Sequence, residues 1–236
     1  MNEDILLAVF AHPDDESFRP GGTLALLVRR GVSVQVLTAT RGGAGSCGDP
    51  PLCTPEELPI VREGELCCAC TALGIEPPIL LDYQDGCLVE ADPKTIVAEI
   101  LSVVADIRPQ VMLTFGPDGL SGHPDHIAIG RFAYEAYHHA TDVHALCTFA
   151  VPQALSEKLG MTQIRAVPDE TISGTVDISA VWEAKMSAIC CHATQISSSP
   201  ITLDRHQRQR LFLGKEHFVL SGRHSGRNFL VELESN

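Results

Sequence analysis

The chain has 236 residues, 44% of them hydrophobic, and a formal net charge of −13. That length and composition suit one α/β domain with a sizeable core. The acidic balance, with no Lys/Arg cluster, argues against a nucleic-acid or anionic-membrane surface, and no apolar run reaches the roughly 18 residues of a spanning helix.

Ile5 to Ala11 is an apolar run that reads as a buried strand. It lacks a preceding basic region, so a signal peptide is not expected. It ends on His12-Pro13-Asp14-Asp15-Glu16 instead of Gly-x-Gly-x-x-Gly, and no Gly-Lys-Ser/Thr occurs. A helix near 20–30 begins at Pro20 and stops at Gly31. Residues 33–39 form the next strand, followed by a loop rich in Gly, Pro and Cys. Thr54-Pro55-Glu56-Glu57 reads as the cap and first turn of a helix that runs to Gly74. A strand at 78–82 follows, then a helix from Asp92-Pro93 to Arg108. A strand at 110–115 leads to His123-Pro124-Asp125-His126 and a helix near 124–140. This alternation predicts an α/β, Rossmann-like fold with a mostly parallel sheet flanked by helices.

Beyond residue 150 the pattern is less regular. Strands near 143–149, 163–167 and 172–177 are predicted, some extending the sheet antiparallel, with helices near 179–193 and 204–213. Residues 1–236 are expected to form a single domain, with 150–236 as a smaller C-terminal α/β subdomain completing the site. The nine cysteines include the adjacent pair Cys67-Cys68 in a helical context. Their odd number and spacing predict free, packed thiols in a reducing, cytoplasmic compartment, with no disulfide framework.

Two His/Asp clusters, about 110 residues apart, each follow a buried strand. If those strands are neighbours in a parallel sheet, their carboxyl ends share one crevice, the usual ligand site of such folds. Two imidazoles and a carboxylate there make a three-ligand metal site with an open position, the catalytic kind. Of the adjacent Asp14 and Asp15, one can face the metal and the other the attacking water. Of His123 and His126, one can ligate while the other stands beside it. Asp125 either contacts His123 or supplies favourable charge at a helix N-terminus.

Ala11-His12-Pro13-Asp14-Asp15-Glu16 with Gly122-His123-Pro124-Asp125-His126 resembles the LmbE-like/PIG-L family of zinc-dependent N-acetylglucosamine deacetylases, which includes those of mycothiol and bacillithiol synthesis. Thr40-Arg41-Gly42-Gly43, Arg62-Glu63-x-Glu65, Leu81-Asp82-Tyr83, Lys185 and His192-Ala193-Thr194-Gln195 extend the resemblance over residues 5–195. It implies His12, Asp15 and His126 as ligands of zinc, with iron(II) or another divalent metal as an alternative. Asp14 would be the general base, and His123, with Asp125 nearby raising its pKa, would stand beside the scissile carbonyl. Arg41, His192 and Gln195 would bind substrate. Gly43 departs from an acidic residue common at that position.

The implied reaction is hydrolysis of an N-acetyl amide on an N-acetylglucosamine-derived small molecule. No nucleic-acid or membrane partner is expected, and a homo-oligomer is compatible with the sequence. One alternative is an amidase for a larger acyl group, such as a thiol conjugate. Another is a non-catalytic, metal-containing sugar- or nucleotide-binding module. An open metal position beside a spare carboxylate counts against that last reading.

Overall fold

A computed structural model describes residues 4–196, 206–224, 226–230 and 232. β1 (Ile5–Phe10) enters the turn-like helix α1 (Asp15–Phe18) and α2 (Gly21–Arg29). Then come β2 (Ser33–Thr40), α3 (Leu58–Leu73), β3 (Ile79–Tyr83) and α4 (Pro93–Ile107). β4 (Val111–Phe115) leads through the short turn α5 (Gly119–Gly122) to α6 (Pro124–His139) and β5 (Ala145–Ala150). The remainder comprises α7 (Gln153–Leu159), β6 (Gly174–Asp177), α8 (Trp182–Cys191), α9 (Ala193–Ile196), α10 (His206–Leu213) and β7 (Lys215–Arg223).

The boundaries follow local chemistry. Asp92 caps α4 by accepting the Thr95 N–H at 3.1 Å, with Pro93 in the first turn. α3 stops at Gly74, whose φ of 73° lets the chain turn back so that the Ile75 N–H reaches the Cys70 carbonyl at 3.0 Å.

The seven strands order as β3-β2-β1-β4-β5-β7-β6. The first five are parallel, and β7 is antiparallel to β5 and β6. Connections from β1 to β3 run one way across the sheet and those from β3 to β5 the other. Right-handed crossovers therefore place the two sets of helices on opposite faces. β1 and β4 are neighbours, with Leu6–Ala8 registered against Val111–Leu113. The reversal of strand order thus falls between the two strands that carry the His/Asp clusters.

The C-terminal part departs from the sequence reading. The strand expected at 163–167 is reduced to a single bridge between Pro152 and Val167. Pro168 lacks the N–H that a continuing ladder needs. The backbone of Arg165 instead donates to Leu120 O at 2.7 Å. The helix expected at 179–193 is a 3-10 turn, Ser179–Val181, followed by α8, with a break at His192 before α9. The helix expected from 204 is described from His206, residues 204 and 205 lying outside the described set. α7 and β7 were not anticipated.

Two features lock the elements together. Glu216 on β7 is buried, with Oε1 accepting the Gly22 N–H at 2.9 Å and Oε2 the Thr23 N–H at 2.7 Å at the start of α2. Lys185 on α8 donates to the same carboxylate and to Arg19 O at 3.1 Å, and is itself fully buried. Burial lowers the Lys185 pKa, and the charge of Glu216 opposes that. The second feature corrects the expectation of unpaired cysteines. Cys68 on α3 and Cys191 on α8 form a disulfide with Cα atoms 5.8 Å apart, while the other seven are free. α3 and α8 pack side by side, which brings together two residues 123 positions apart.

Candidate metal centre

The carboxyl ends of β1 and β4 open into one cleft of about 290 Å³. His12, Asp14 and Asp15 enter it from the turn after β1, and His123 and His126 from the start of α6. His123 is the residue before the helix, not within its first turn, and its Nδ1 accepts the Asp125 N–H at 3.2 Å. Pro124 then opens α6 at the position where a missing N–H costs nothing.

Two imidazole nitrogens and one carboxylate converge, the latter through both of its oxygens. His12 Nδ1 lies 3.2 Å from His126 Nε2, and His126 Nε2 lies 3.3 Å from Asp15 Oδ1. Asp15 Oδ2 stands 3.9 Å from His12 Nδ1. Tetrahedral ligands about 2.0–2.1 Å from a zinc ion sit roughly 3.3 Å from one another, so these residues fit a divalent cation. His12, His123 and His126 also approach closely enough for one ion, as do His12, Asp85 and Asp125.

The other ring nitrogens are engaged in a way that leaves the converging atoms free. His12 Nε2 is held between Asp85 Oδ1 at 2.9 Å and Asp125 Oδ2 at 3.2 Å. His126 Nδ1 lies 3.2 Å from Gly119 O. Such partners fix the tautomer and ring orientation of a metal-binding histidine. Asp125 is itself fixed by the N–H groups of Gly86 at 2.7 Å and Leu88 at 3.0 Å.

Charge balance follows from these contacts. Without a metal, burial opposes protonation of His12, but Asp125, Asp85 and Asp15 outweigh it and push its pKa up to about 10. Burial works to raise the Asp15 pKa, yet His126 and His12 hold it at about 2. This anionic surround suits a cation. Asp125 does act to raise the His123 pKa, as expected, but burial and the neighbouring His126 and His12 outweigh it and lower the pKa on balance.

Asp14 sits beside this group in a left-handed backbone conformation, φ 107°, that L-residues seldom adopt. Its side chain makes no helix-capping bond. Its Oδ2 lies 3.3 Å from the guanidinium of Arg62, and its N–H is held by Glu16 Oε2 at 3.0 Å. Burial pushes the Asp14 pKa up to about 6 against the pull of Arg62.

The three residues expected at the substrate are placed differently from one another. Gln195 lines the cleft and donates to Ser46 O at 2.8 Å, tethering the Gly-rich loop. His192 does not line it. It is fully buried, with Nε2 2.7 Å from Glu16 Oε1, so it is closed to direct contact with a ligand. Arg41 lies in an adjoining depression of about 370 Å³, which shares Ala44 and Asp85 with the cleft. There it pairs with Glu63 and, at 2.7 Å, with Asp82. The arginine in the cleft is Arg62, only 3% exposed.

Arg62 and Asp85 are the site residues that sequence reasoning missed. Asp85 follows β3, and the sheet order carries it to His12 by way of β2. Its carboxylate also accepts the Ala44 N–H at 2.8 Å, and its pKa falls to about 2 as contacts with His12 overcome burial. The Asp85-Gly86 pair after a predicted strand was the available signal.

Residues 7–137, more than half of the chain, match the family model described as "PIG-L: GlcNAc-PI de-N-acetylase". A Rhodococcus opacus (strain B4) protein named 1D-myo-inositol 2-acetamido-2-deoxy-alpha-D-glucopyranoside deacetylase is 32% identical, over 93% of this chain and 92% of its own. The fold is shared with N,N'-diacetylchitobiose deacetylase from Pyrococcus horikoshii, at TM-score 0.69 and 19% identity over 93% of this chain and 84% of that one. It is equally shared with GalB, the 4-carboxy-2-hydroxymuconate hydratase of Pseudomonas putida KT2440, at TM-score 0.70 and 20% identity over 95% and 99%. One fold thus carries two chemistries, and it is the match in sequence, not in architecture, that decides membership. By that match the chain belongs to the PIG-L family of GlcNAc-PI de-N-acetylases.

Proposed function

We propose that this protein is a metal-dependent N-deacetylase acting on an N-acetylglucosamine-derived small molecule, with His12, Asp15 and His126 holding a zinc ion. The observation that carries the reading is the convergence of His12 Nδ1, His126 Nε2 and the Asp15 carboxylate, with Asp14 beside them and bound to none of them. Zinc, when bound, supplies a Lewis acid that acidifies water and polarises an amide carbonyl. Asp14 accepts the proton of the attacking water, and Arg62 orients its carboxylate. Because His123 Nδ1 accepts the Asp125 N–H, its hydrogen sits on Nε2, free to donate to the developing oxyanion. Asp14 then returns the proton to the departing amine, since an amide anion is too basic to leave unaided.

A panel of N-acetyl sugars and larger N-acyl amides, followed by release of the free acid, tests the reaction. Acetate from the sugars supports it, preference for a longer acyl group redirects it, and no release with metal bound overturns it. Purified protein is expected to hold about one divalent ion per chain, as a mononuclear site does. The His12→Ala/His126→Ala double variant should lose nearly all of it by elemental analysis, and full retention would refute the ligand assignment.

Substrate placement extends into the depression around Arg41. Its guanidinium and the carboxylates of Asp82 and Asp85 offer donors and acceptors for sugar hydroxyls, in place of the acidic residue absent at Gly43. Binding energy there positions a small acetamide for attack. Arg41→Ala should therefore reduce kcat/KM on an N-acetylglucosamine conjugate by about tenfold, the scale of one lost hydrogen bond to a charged group. A simple acetanilide should be little affected and metal content unchanged. Equal losses on both substrates would show that Arg41 does not read the sugar.

We further read residues 1–236 as one soluble, cytoplasmic domain. Residues from 150 onward supply β6 and β7 to the same sheet and Gln195 to the cleft. Among the described residues no helix is long and apolar enough to cross a membrane. Seven of the nine cysteines are free, and the single Cys68–Cys191 link falls short of the disulfide framework of a small secreted fold.

A further inference from the structure

We propose that the buried Glu16–His192 pair is a positioning device, which holds the Asp14 backbone in its left-handed conformation and so aims the Asp14 carboxylate. The inference rests on the reading of Asp14 as the proton acceptor.

A non-glycine residue persists at positive φ only where its surroundings over-determine it. At Asp14 the restraint is visible: its N–H donates to Glu16 Oε2 at 3.0 Å, and its own side chain makes no compensating cap. Glu16 is fully buried, and a buried carboxylate needs partners for its remaining lone pairs. Its other oxygen accepts from Ser17 Oγ and from His192 Nε2, the latter at 2.7 Å. His192 is equally buried and its Nδ1 has no partner, so its side-chain hydrogen bonding is directed entirely at Glu16. Burial alone would depress the His192 pKa, yet the charge and hydrogen bond of Glu16 raise it. The imidazole thus stays a donor toward the carboxylate.

His192 is well placed to act as an anchor. It occupies the break between α8 and α9, directly after Cys191, which the disulfide ties to α3. Two residues on, the N–H and hydroxyl of Thr194 are held by Glu65 of α3 at 2.8 and 2.7 Å. The same helix carries Arg62, which reaches the Asp14 carboxylate at 3.3 Å and also donates to Pro13 O. Asp14 is therefore gripped at its backbone through α8 and at its side chain through α3. Glu16 and His192 do not line the cleft, so they act through Asp14 and not on substrate.

The test uses His192→Phe and His192→Gln, each with and without Asp14→Asn, with turnover, KM, metal content and the crystal structure of His192→Phe as readouts. His192→Phe should lower kcat by about 10- to 100-fold, the range for losing the group behind an active side chain. KM should stay within about twofold, since ground-state binding is untouched. Metal content should not change, and Asp14 should leave positive φ in the crystal. His192→Gln keeps a donor toward Glu16 and should recover much of the loss. In the Asp14→Asn background His192→Phe should cost nothing more, because it acts through a group already disabled. The same fractional loss in both backgrounds, or loss of metal in parallel with activity, would overturn the proposal. Retention of Asp14 at positive φ would overturn it too, and that readout holds even if the wild-type protein hydrolyses no amide. If His192→Phe does not fold, Glu16→Gln, which sets an NH2 group among donors, takes its place with the same expected outcomes.

Discussion

Asp14→Asn is expected to keep its metal while turnover falls by about 100- to 10,000-fold, the usual contribution of a general base. The substitution is nearly isosteric, so the contact with Arg62 and the backbone bond to Glu16 survive in shape. What is lost is the ability to take a proton. Asp14 stands beside the three converging donors without contacting them, which separates proton transfer from metal retention in this one residue. Steady-state kinetics with elemental analysis on the same preparation decide the matter. Near-normal turnover with metal bound would move the base elsewhere, while loss of metal would make Asp14 a ligand.

The second large effect is on stability. Glu216→Ala strips the buried Lys185 ammonium of its counter-charge, leaving it only Arg19 O, and leaves the N–H groups of Gly22 and Thr23 without their acceptor. Breaking a buried pair from one side costs about 3–5 kcal/mol. At about 2–4 °C per kcal/mol for a chain of this size, the thermal midpoint should drop by about 6–20 °C. Replacing both partners, Lys185→Met with Glu216→Leu, should cost less than Glu216→Ala alone, because the Lys185 ammonium is then not stranded. A fall under about 2 °C for Glu216→Ala, well below the range for such a pair, would mean that the network is dispensable.

The parallel half of the sheet was legible because its strands are short apolar runs closed by Pro, Gly or charged turns. Val111–Phe115 is buried throughout and reads so in sequence. The two His/Asp clusters stand out in the sequence because one directly follows such a run and the other follows one after a seven-residue Gly/Pro loop. β7 was not. Lys215-Glu216-His217 opens it, and two of these are charged groups that ordinarily mark a surface. Glu216 is buried only because α2 and α8 bring it partners. Near its end, Gly222 breaks the pattern because the Tyr137 ring occupies the space a side chain would need. Asp85 is one acid among 30 Asp and Glu residues, and strand order alone singles it out. His192 was read as a substrate contact because the resemblance carried by His192-Ala193-Thr194-Gln195 implied it. The chain in fact breaks at His192, sending one side chain inward to Glu16 and the other to the loop. The link between Cys68 and Cys191 depends on helix packing that no local pattern encodes.

The place of β7 has a consequence for biosynthesis. β6 touches the sheet only through β7, yet it leaves the ribosome about 40 residues earlier, several seconds at usual synthesis rates. Until β7 emerges, β5 is an outer strand whose six residues, all buried in the finished protein, offer unpaired backbone groups beside an apolar surface. Such an edge recruits other nascent chains. A polypeptide stalled or clipped before residue 215 would carry every donor of the metal centre and still be the species most prone to clump. Its deposits would consist of chains that never closed their sheet.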